Sequence, residues 1–210
     1  QVHDMEASPL PDEALACLPV AYGTAMGMLE RGRVRAGETV VVTGASGGVG
    51  LALVHLGVAR GARVLGLTRD AVAEQVAGAG AAGVISRDAG DLGEQLEALA
   101  PGGVDAVADV AGGRVLSELL PALRDDGRWI IAGAVAGPVV SFDLRRLYLH
   151  NLALIGSSMH TRAHFAALVE VARAGTVVPR VAATYPLAQI HRAQERFLQG
   201  AHVGKIVVVP

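Results

Sequence analysis

The 210-residue sequence predicts an α/β fold: a doubly wound parallel sheet with helices on both faces, followed by a small C-terminal α+β segment. Three observations carry this. Strand-like and helix-like segments alternate along most of the chain, the pattern of right-handed βαβ crossovers. Hydrophobic residues make up 51% of the chain but aromatics only 3%, so the apolar mass is Ala, Val and Leu, which suits strands covered on both faces. A glycine cluster in "VVTGASGGVGLALVHLG" (41–57) joins a β-branched strand to an apolar helix.

"SPLPDEALACLPVAYGTAMGMLERG" (8–32) opens with turn residues and then reads as helix, with Gly32 as its stop. "RVRAGETVVVTG" (33–44) is a polar turn entering the first strand. "ARVLGL" (62–67) is a second strand and "DAVAEQVAGAG" (70–80) a helix. "AGVIS" (82–86) is a short strand, and "AGDLGEQLEALAPGG" (89–103) a helix closed by a Pro-Gly-Gly break. "VDAVADVAG" (104–112) is a fourth strand, "GRVLSELLPALRDDG" (113–127) a helix with a turn after it, and "RWIIAGAV" (128–135) a fifth strand. The short helical "DLRRLYLH" (143–150) leads into a sixth strand, "NLALIGSS" (151–158). Beyond residue 160 the rhythm changes to helix (161–175), strand (180–186), helix (187–200) and last strand (204–210). The expected organisation is a lead-in at 1–32, a dinucleotide-binding unit at 33–160 and a C-terminal segment at 161–210.

A net charge of −2 gives no reason to expect a nucleic-acid or membrane-surface partner. Cys17 is the sole cysteine, so neither an internal disulfide nor a structural thiolate cluster is available, and a reducing compartment fits. No apolar run is long enough to span a bilayer and no signal-peptide pattern opens the chain, which is the pattern of a soluble, cytoplasmic protein. The chain begins at Gln1, as a fragment or processed product would.

The glycine cluster fits the Rossmann dinucleotide fingerprint as Ala45-Ser46-Gly47-Gly48-Val49-Gly50, with Ala in place of the first glycine. Gly47 lets the backbone approach a pyrophosphate, Gly50 lets the helix pack on the sheet, and the helix N-terminus offers free N–H groups. An acidic residue at the end of the second strand would grip the ribose 2′-hydroxyl of NAD. Thr68 and Arg69 stand there instead, with Arg87 after the third strand. Guanidinium groups suit a 2′-phosphate, so the expected cofactor is NADP(H).

"LACLPVAYGTAMGMLERGRVRAGETVVVTGASGGVG", "GVDAVADVAGG", "LRDDGRWIIAGAVAG", "NLALIGSS" and "HVGKIVVVP" together resemble the medium-chain dehydrogenase/reductase superfamily, in its zinc-free quinone oxidoreductase-like branch. The resemblance implies pyrophosphate contacts from Ser46 to Val49. It places Gly133, Ala134, Val135 and Ala136, with Gly156, Ser157 and Ser158, along the nicotinamide half, and Thr24 near the nicotinamide amide. It implies a homodimer through the sheet edge around 129–158, a small-molecule substrate, and no nucleic acid or membrane. A barrel-like N-terminal lobe of the family, which forms the other wall of its active site, is absent, and the C-terminal segment is partly a remnant of that lobe. Lys205 is either the family's "GK" lysine or a surface lysine closing a turn.

Other chemistry finds little support in the residues. No cysteine stands in "PVAYGTA", and no ligand set for zinc can be assembled, so no metal site is expected. His160 and His164 are spaced i, i+4 but lack a metalloprotease glutamate, and read as solvated or capping residues. Tyr22 is the one hydroxyl near the expected nicotinamide site that could donate a proton, and it reads as an aromatic packed in the hinge. The expected activity is an NADP(H)-dependent hydride transfer between nicotinamide and a quinone, enone or similar activated double bond. The alternatives are an enoyl reductase domain of a larger synthase, or a truncated NADP(H)-binding dimerisation module without turnover.

Overall fold

Thr39–Thr43, a β-branched run with every residue buried, forms the central strand β1. A computed structural model, describing residues 3–210, sets five more strands parallel to it: β2 (Arg63–Thr68), β3 (Gly83–Ser86), β4 (Val104–Asp109), β5 (Leu123–Ile131) and β6 (Ala153–Gly156). Their order is β3-β2-β1-β4-β5-β6. This is the doubly wound order in which two halves meet between β1 and β4, and ligands of such sheets sit outside the carboxyl ends of the strands at that switch point.

Alternation along the strands divides the core into two layers. Val40, Val42, Val64, Ala106, Ala108 and Ile130 point to one face, where α2 (Gly23–Arg31), α3 (Gly48–Ala59) and α8 (Arg162–Arg173) bring Met28, Leu29, Leu53, Val54 and Leu168. Val41, Leu65, Leu67, Val107 and Trp129 point to the other, where α5 (Leu92–Leu99) and α6 (Val115–Leu119) bring Leu96, Leu116 and Leu119. Each Val, Leu, Ile or Met among these, fully buried, contributes about 1.5–3 kcal/mol. The connections are completed by α1 (Asp12–Leu15), α4 (Ala73–Gly78) and α7 (Leu144–Leu149).

Two expectations need correction. The segment 8–32 is not one helix: α1 is a single turn, Leu18–Tyr22 is π-helical, and α2 begins only at Gly23. Pro19 has no N–H to donate and crowds the preceding turn, so the regular helix cannot run through it. The fifth strand begins at Leu123, not after Gly127. Leu123 pairs with Val104, a register shift separates that pair from Ala106 with Arg128, and Asp126 (φ 62°) takes up the irregularity.

The C-terminal segment forms its own parallel pair, β7 (Val181–Pro186) and β8 (Lys205–Val209), with α9 (Ile190–Leu198) packed on both. Val207 of β8 joins the first core layer, which ties this pair to the main sheet. α8 is capped by Thr161, whose hydroxyl accepts the His164 backbone N–H while His164 Nδ1 accepts that of Thr161. Among the described residues no helix is long and apolar enough to cross a membrane.

Two buried polar groups organise this interior. Asp109, 1% exposed at the end of β4, accepts from four donors: the Thr43 hydroxyl (2.6 Å), the Ala111 and Gly112 amides (2.9 Å each) and the Trp129 indole (3.1 Å). Between the π-helical turn and α3, the Tyr22 hydroxyl lies 2.7 Å from His55 Nδ1. Burial, then the charge of Arg180, holds His55 below the usual histidine value.

Asp109→Ala would strand those donors, and a loss of about 4 kcal/mol is expected as a shifted urea midpoint at unchanged slope. An unshifted midpoint would contradict the account. For His55 the folded state binds fewer protons than the unfolded chain. Its contribution is therefore present above about pH 6.5 and lost as pH falls towards the depressed folded value. His55→Gln is expected to flatten that part of the stability–pH curve, and an unchanged acid slope would contradict the assignment.

Candidate functional site

At the carboxyl end of β1 the chain turns through Gly44 (φ 58°), and Gly47 caps α3 in extended geometry. The turn is held by the Ala45 amide donating to Leu67 (3.1 Å) and the Gly47 amide donating to Gly44 (3.0 Å). A Cβ on Gly50 would overlap the Gly44 carbonyl oxygen, so only glycine lets the first turn of α3 lie this close to the loop. The result is a helix N-terminus aimed at open space, which favours an anion.

Two cavities meet this loop. One, of about 330 Å³, is lined by Gly44, Ser46, Thr68, Arg69, Arg87, Arg114 and Ala136, among others. It therefore gathers expected residues from the ends of β1, β2, β3 and β5. Arg114, which the sequence reading passed over, adds a third guanidinium after β4; its one carboxylate neighbour is Glu118, at 3.7 Å. The Thr68 hydroxyl is buried and has no hydrogen-bond partner. The Arg69 guanidinium donates to the Gly200 carbonyl (2.6 Å), tying the end of β2 to the C-terminal segment.

The second cavity, of about 430 Å³, has Ser46, Gly47 and Gly48 on one side and Phe197, Gly200, His202, Gly204 and Lys205 on the other. Here the Gly204 amide donates to the Ser46 carbonyl (3.3 Å), and a Cβ on Gly48 would lie 2.7 Å from Lys205 Cδ. Lys205 thus lies across the glycine loop rather than at an isolated turn. Its position depends on the start of β8 returning to the loop after β1, a contact that spacing along the chain does not reveal.

The remaining expected residues are more dispersed. Gly133 packs so closely on Val110 that a Cβ would overlap its carbonyl, and Ala134 lies against Gly112. Val135 is 92% exposed. Val49 packs on the first core layer. Ser157 is buried, and its hydroxyl accepts from Arg31 (3.1 Å), whose guanidinium also holds the Met159 carbonyl. Thr24, Gly156, Ser157 and Ser158 line neither of the two cavities.

The hydroxyl of Tyr22 is engaged with His55, and burial, then Cys17, pushes its ionisation well above the ordinary phenol value, so it stays protonated at neutral pH. His160 stacks on Phe165 with ring centres 5.1 Å apart. Among the described residues no three His, Cys, Asp or Glu side chains converge as a metal site would require, and the Cys17 thiol donates to the Glu13 carbonyl (3.2 Å). The donor set present does not fit a catalytic zinc ion. The glycine loop and its basic surround do fit the diphosphate of a dinucleotide.

Gly50→Ala is expected to push the loop off α3 at a cost of about 1–3 kcal/mol, read by thermal unfolding. A variant as stable as the parent would mean that the loop tolerates the displacement.

The family model described as zinc-binding dehydrogenase matches residues 48–174. The chain is 32% identical over 200 residues to acryloyl-coenzyme A reductase of Metallosphaera sedula, covering 94% of this chain and 58% of that protein. It therefore spans less than two thirds of that relative's length. A solved structure from Sinorhizobium meliloti 1021, assigned as an alcohol dehydrogenase, shares 47% identity at a TM-score of 0.93 over 97% of this chain and 57% of its own. The 2-octenoyl-CoA carboxylase reductase CinF, solved with NADP and 2-octenoyl-CoA, shares 25% identity at a TM-score of 0.89 over 97% and 51%. The chain belongs to the zinc-binding dehydrogenase family, within the medium-chain dehydrogenase/reductase superfamily.

Proposed function

We propose that this chain is the cofactor-holding part of an NADP(H)-dependent reductase that transfers hydride between nicotinamide and an activated double bond, in an enone, a quinone or an enoyl thioester. The observation that carries the reading is the cavity at the glycine loop where Arg69, Arg87 and Arg114 converge at the ends of three successive strands. Guanidinium groups pair bidentately with phosphate, and Thr68 and Arg69 stand at the end of β2 where a carboxylate would repel one. Glu118, beside Arg114, is the carboxylate in the cavity lining. The relatives support the substrate class, since one is named for acryloyl-CoA and another holds NADP with 2-octenoyl-CoA.

The bound cofactor supplies the hydride, and the chain's own residues orient it. Ser46 to Val49 and the N-terminus of α3 hold the diphosphate, with Lys205 above it. Arg69 and Arg87 hold the 2′-phosphate, with Thr68 at the strand end. Gly133 to Ala136, Gly156 to Ser158 and Thr24 line the nicotinamide half. The wall that selects the substrate belongs to the part of such proteins that this chain does not span.

We also propose a homodimer through β6. Among the described residues that strand pairs only with β5, its Ala153 and Leu154 are exposed, and Val139, Leu144, Tyr148 and Leu149 leave further apolar surface. Open strand edges with apolar flanks are covered in native assemblies.

NADPH is expected to bind the chain more tightly than NADH in calorimetric titration. Arg69→Ala should weaken NADPH about tenfold to a hundredfold and leave NADH nearly unchanged. Absence of binding by either nucleotide would overturn the reading, and equal losses for both would move Arg69 away from the 2′-phosphate. For the dimer, light scattering on Leu154→Lys should give a monomer where the parent gives a dimer. A monomeric parent would contradict the interface.

A further inference from the structure

The C-terminal segment places a histidine over the glycine loop, and its surroundings are one-sided. His202 lies between two tethers to the dinucleotide unit: Gly200, whose carbonyl accepts from Arg69 (2.6 Å), and Gly204, whose amide donates to Ser46 (3.3 Å). Its ring leans on Phe197 with centres 5.8 Å apart, and its Nδ1 is buried with no hydrogen-bond partner among the described residues. A buried ring nitrogen without a partner costs stability, which calls for an explanation.

On one side His202 lines the cavity shared by Ser46, Gly47, Gly48 and Lys205. On the other it lines a second cavity with Arg180, Arg196 and Gln75. The charged groups facing it are therefore Arg196 of α9, Lys205 of β8 and Arg180 at the start of β7, and no carboxylate lines either cavity. Burial, followed by Arg196 and Lys205, holds the imidazole below the usual histidine value, so it is neutral at neutral pH.

We propose that His202 is the proton-linked partner of the cofactor's diphosphate: it takes up a proton when the dinucleotide enters the cavity and returns it on release. The inference rests on the cofactor reading above. The diphosphate supplies negative charge beside the ring, and a protonated imidazole donates to it from the ring nitrogen that faces the cavity. The sign follows from linkage. Binding raises the imidazole's ionisation, so affinity is highest at low pH and falls as pH rises through the bound-state value. The change is roughly tenfold for each unit by which binding raises it. The site thus couples cofactor exchange to pH through a residue outside the glycine fingerprint.

The test is calorimetric titration with NADPH in buffers of different ionisation enthalpy, on the whole chain, for the parent, His202→Gln and His202→Asn. The 2′-phosphate has its own ionisation near pH 6, which is common to all three proteins and cancels in the difference. The parent is expected to take up more protons than either variant near pH 7, and the variants should lose the corresponding fall in affinity with rising pH. His150→Gln, at the Asp125 pair away from both cavities, should retain the parent's uptake. Equal uptake by parent and both variants, with binding intact, would overturn this inference alone. Absence of binding heat from the parent would overturn the cofactor reading and this inference with it.

Discussion

The carboxylate of Asp109 is the point at which the two halves of the sheet are fastened at their working end. β1 and β4 are paired neighbours, and the helices that follow them, α3 and α6, go to opposite faces of the sheet. The groove therefore lies beyond their carboxyl ends and depends on how those ends are held. Asp109 holds them by accepting from Thr43 at the end of β1, from Ala111 and Gly112 beyond β4, and from Trp129 within β5. Thr43 passes the constraint on, since its hydroxyl accepts from the Val110 amide (3.0 Å). Four donors share one buried acceptor group, so the arrangement tolerates little displacement of any strand. The glycine turn begins one residue after Thr43, and its position is inherited from this network.

Around that fixed turn the charge is arranged by loops from separate crossovers. Arg69, Arg87 and Arg114 follow β2, β3 and β4, and each is close to the others only because the strands are parallel and in register. The C-terminal pair β7 and β8 contributes from the opposite side, laying His202 and Lys205 across the loop. Burial of Val207 in the main core holds this second wall in place, so packing far from the cavity sets its geometry. Arg69, Arg87 and Lys205, gathered around a helix N-terminus, repel one another, and an anion of matching shape relieves that repulsion.

Local features were legible in the chain before folding, and long-range ones were not. The parallel sheet follows from alternating strand and helix periods, and the loop at 45–50 follows from three glycines between a strand and a helix. Pro19 was visible, but whether it ended a helix or bent it into a π turn depended on packing between the segments on either side. The start of β5 at Leu123 was hidden because "LRDDG" carries turn residues, and its pairing with Val104 is set by the sheet. Asp109 read as one more strand residue, since its two side-chain donors come from β1 and β5, 66 and 20 positions away for Thr43 and Trp129. Lys205 stood between two readings for the same reason: nothing in "HVGK" states that the last strand passes the first loop.

The central claim is that one groove at the β1–β4 switch point, closed over by the C-terminal segment, holds the dinucleotide. Amide-resolved NMR of the chain titrated with NADPH tests it most directly. The account predicts shifts concentrated at Ser46 to Gly50, at Arg69 and Arg87, at Gly133 to Ala136, and at Gly200 to Lys205, saturating together. Shifts confined to the exposed β6 edge, or a response of the glycine loop without the C-terminal segment, would contradict it.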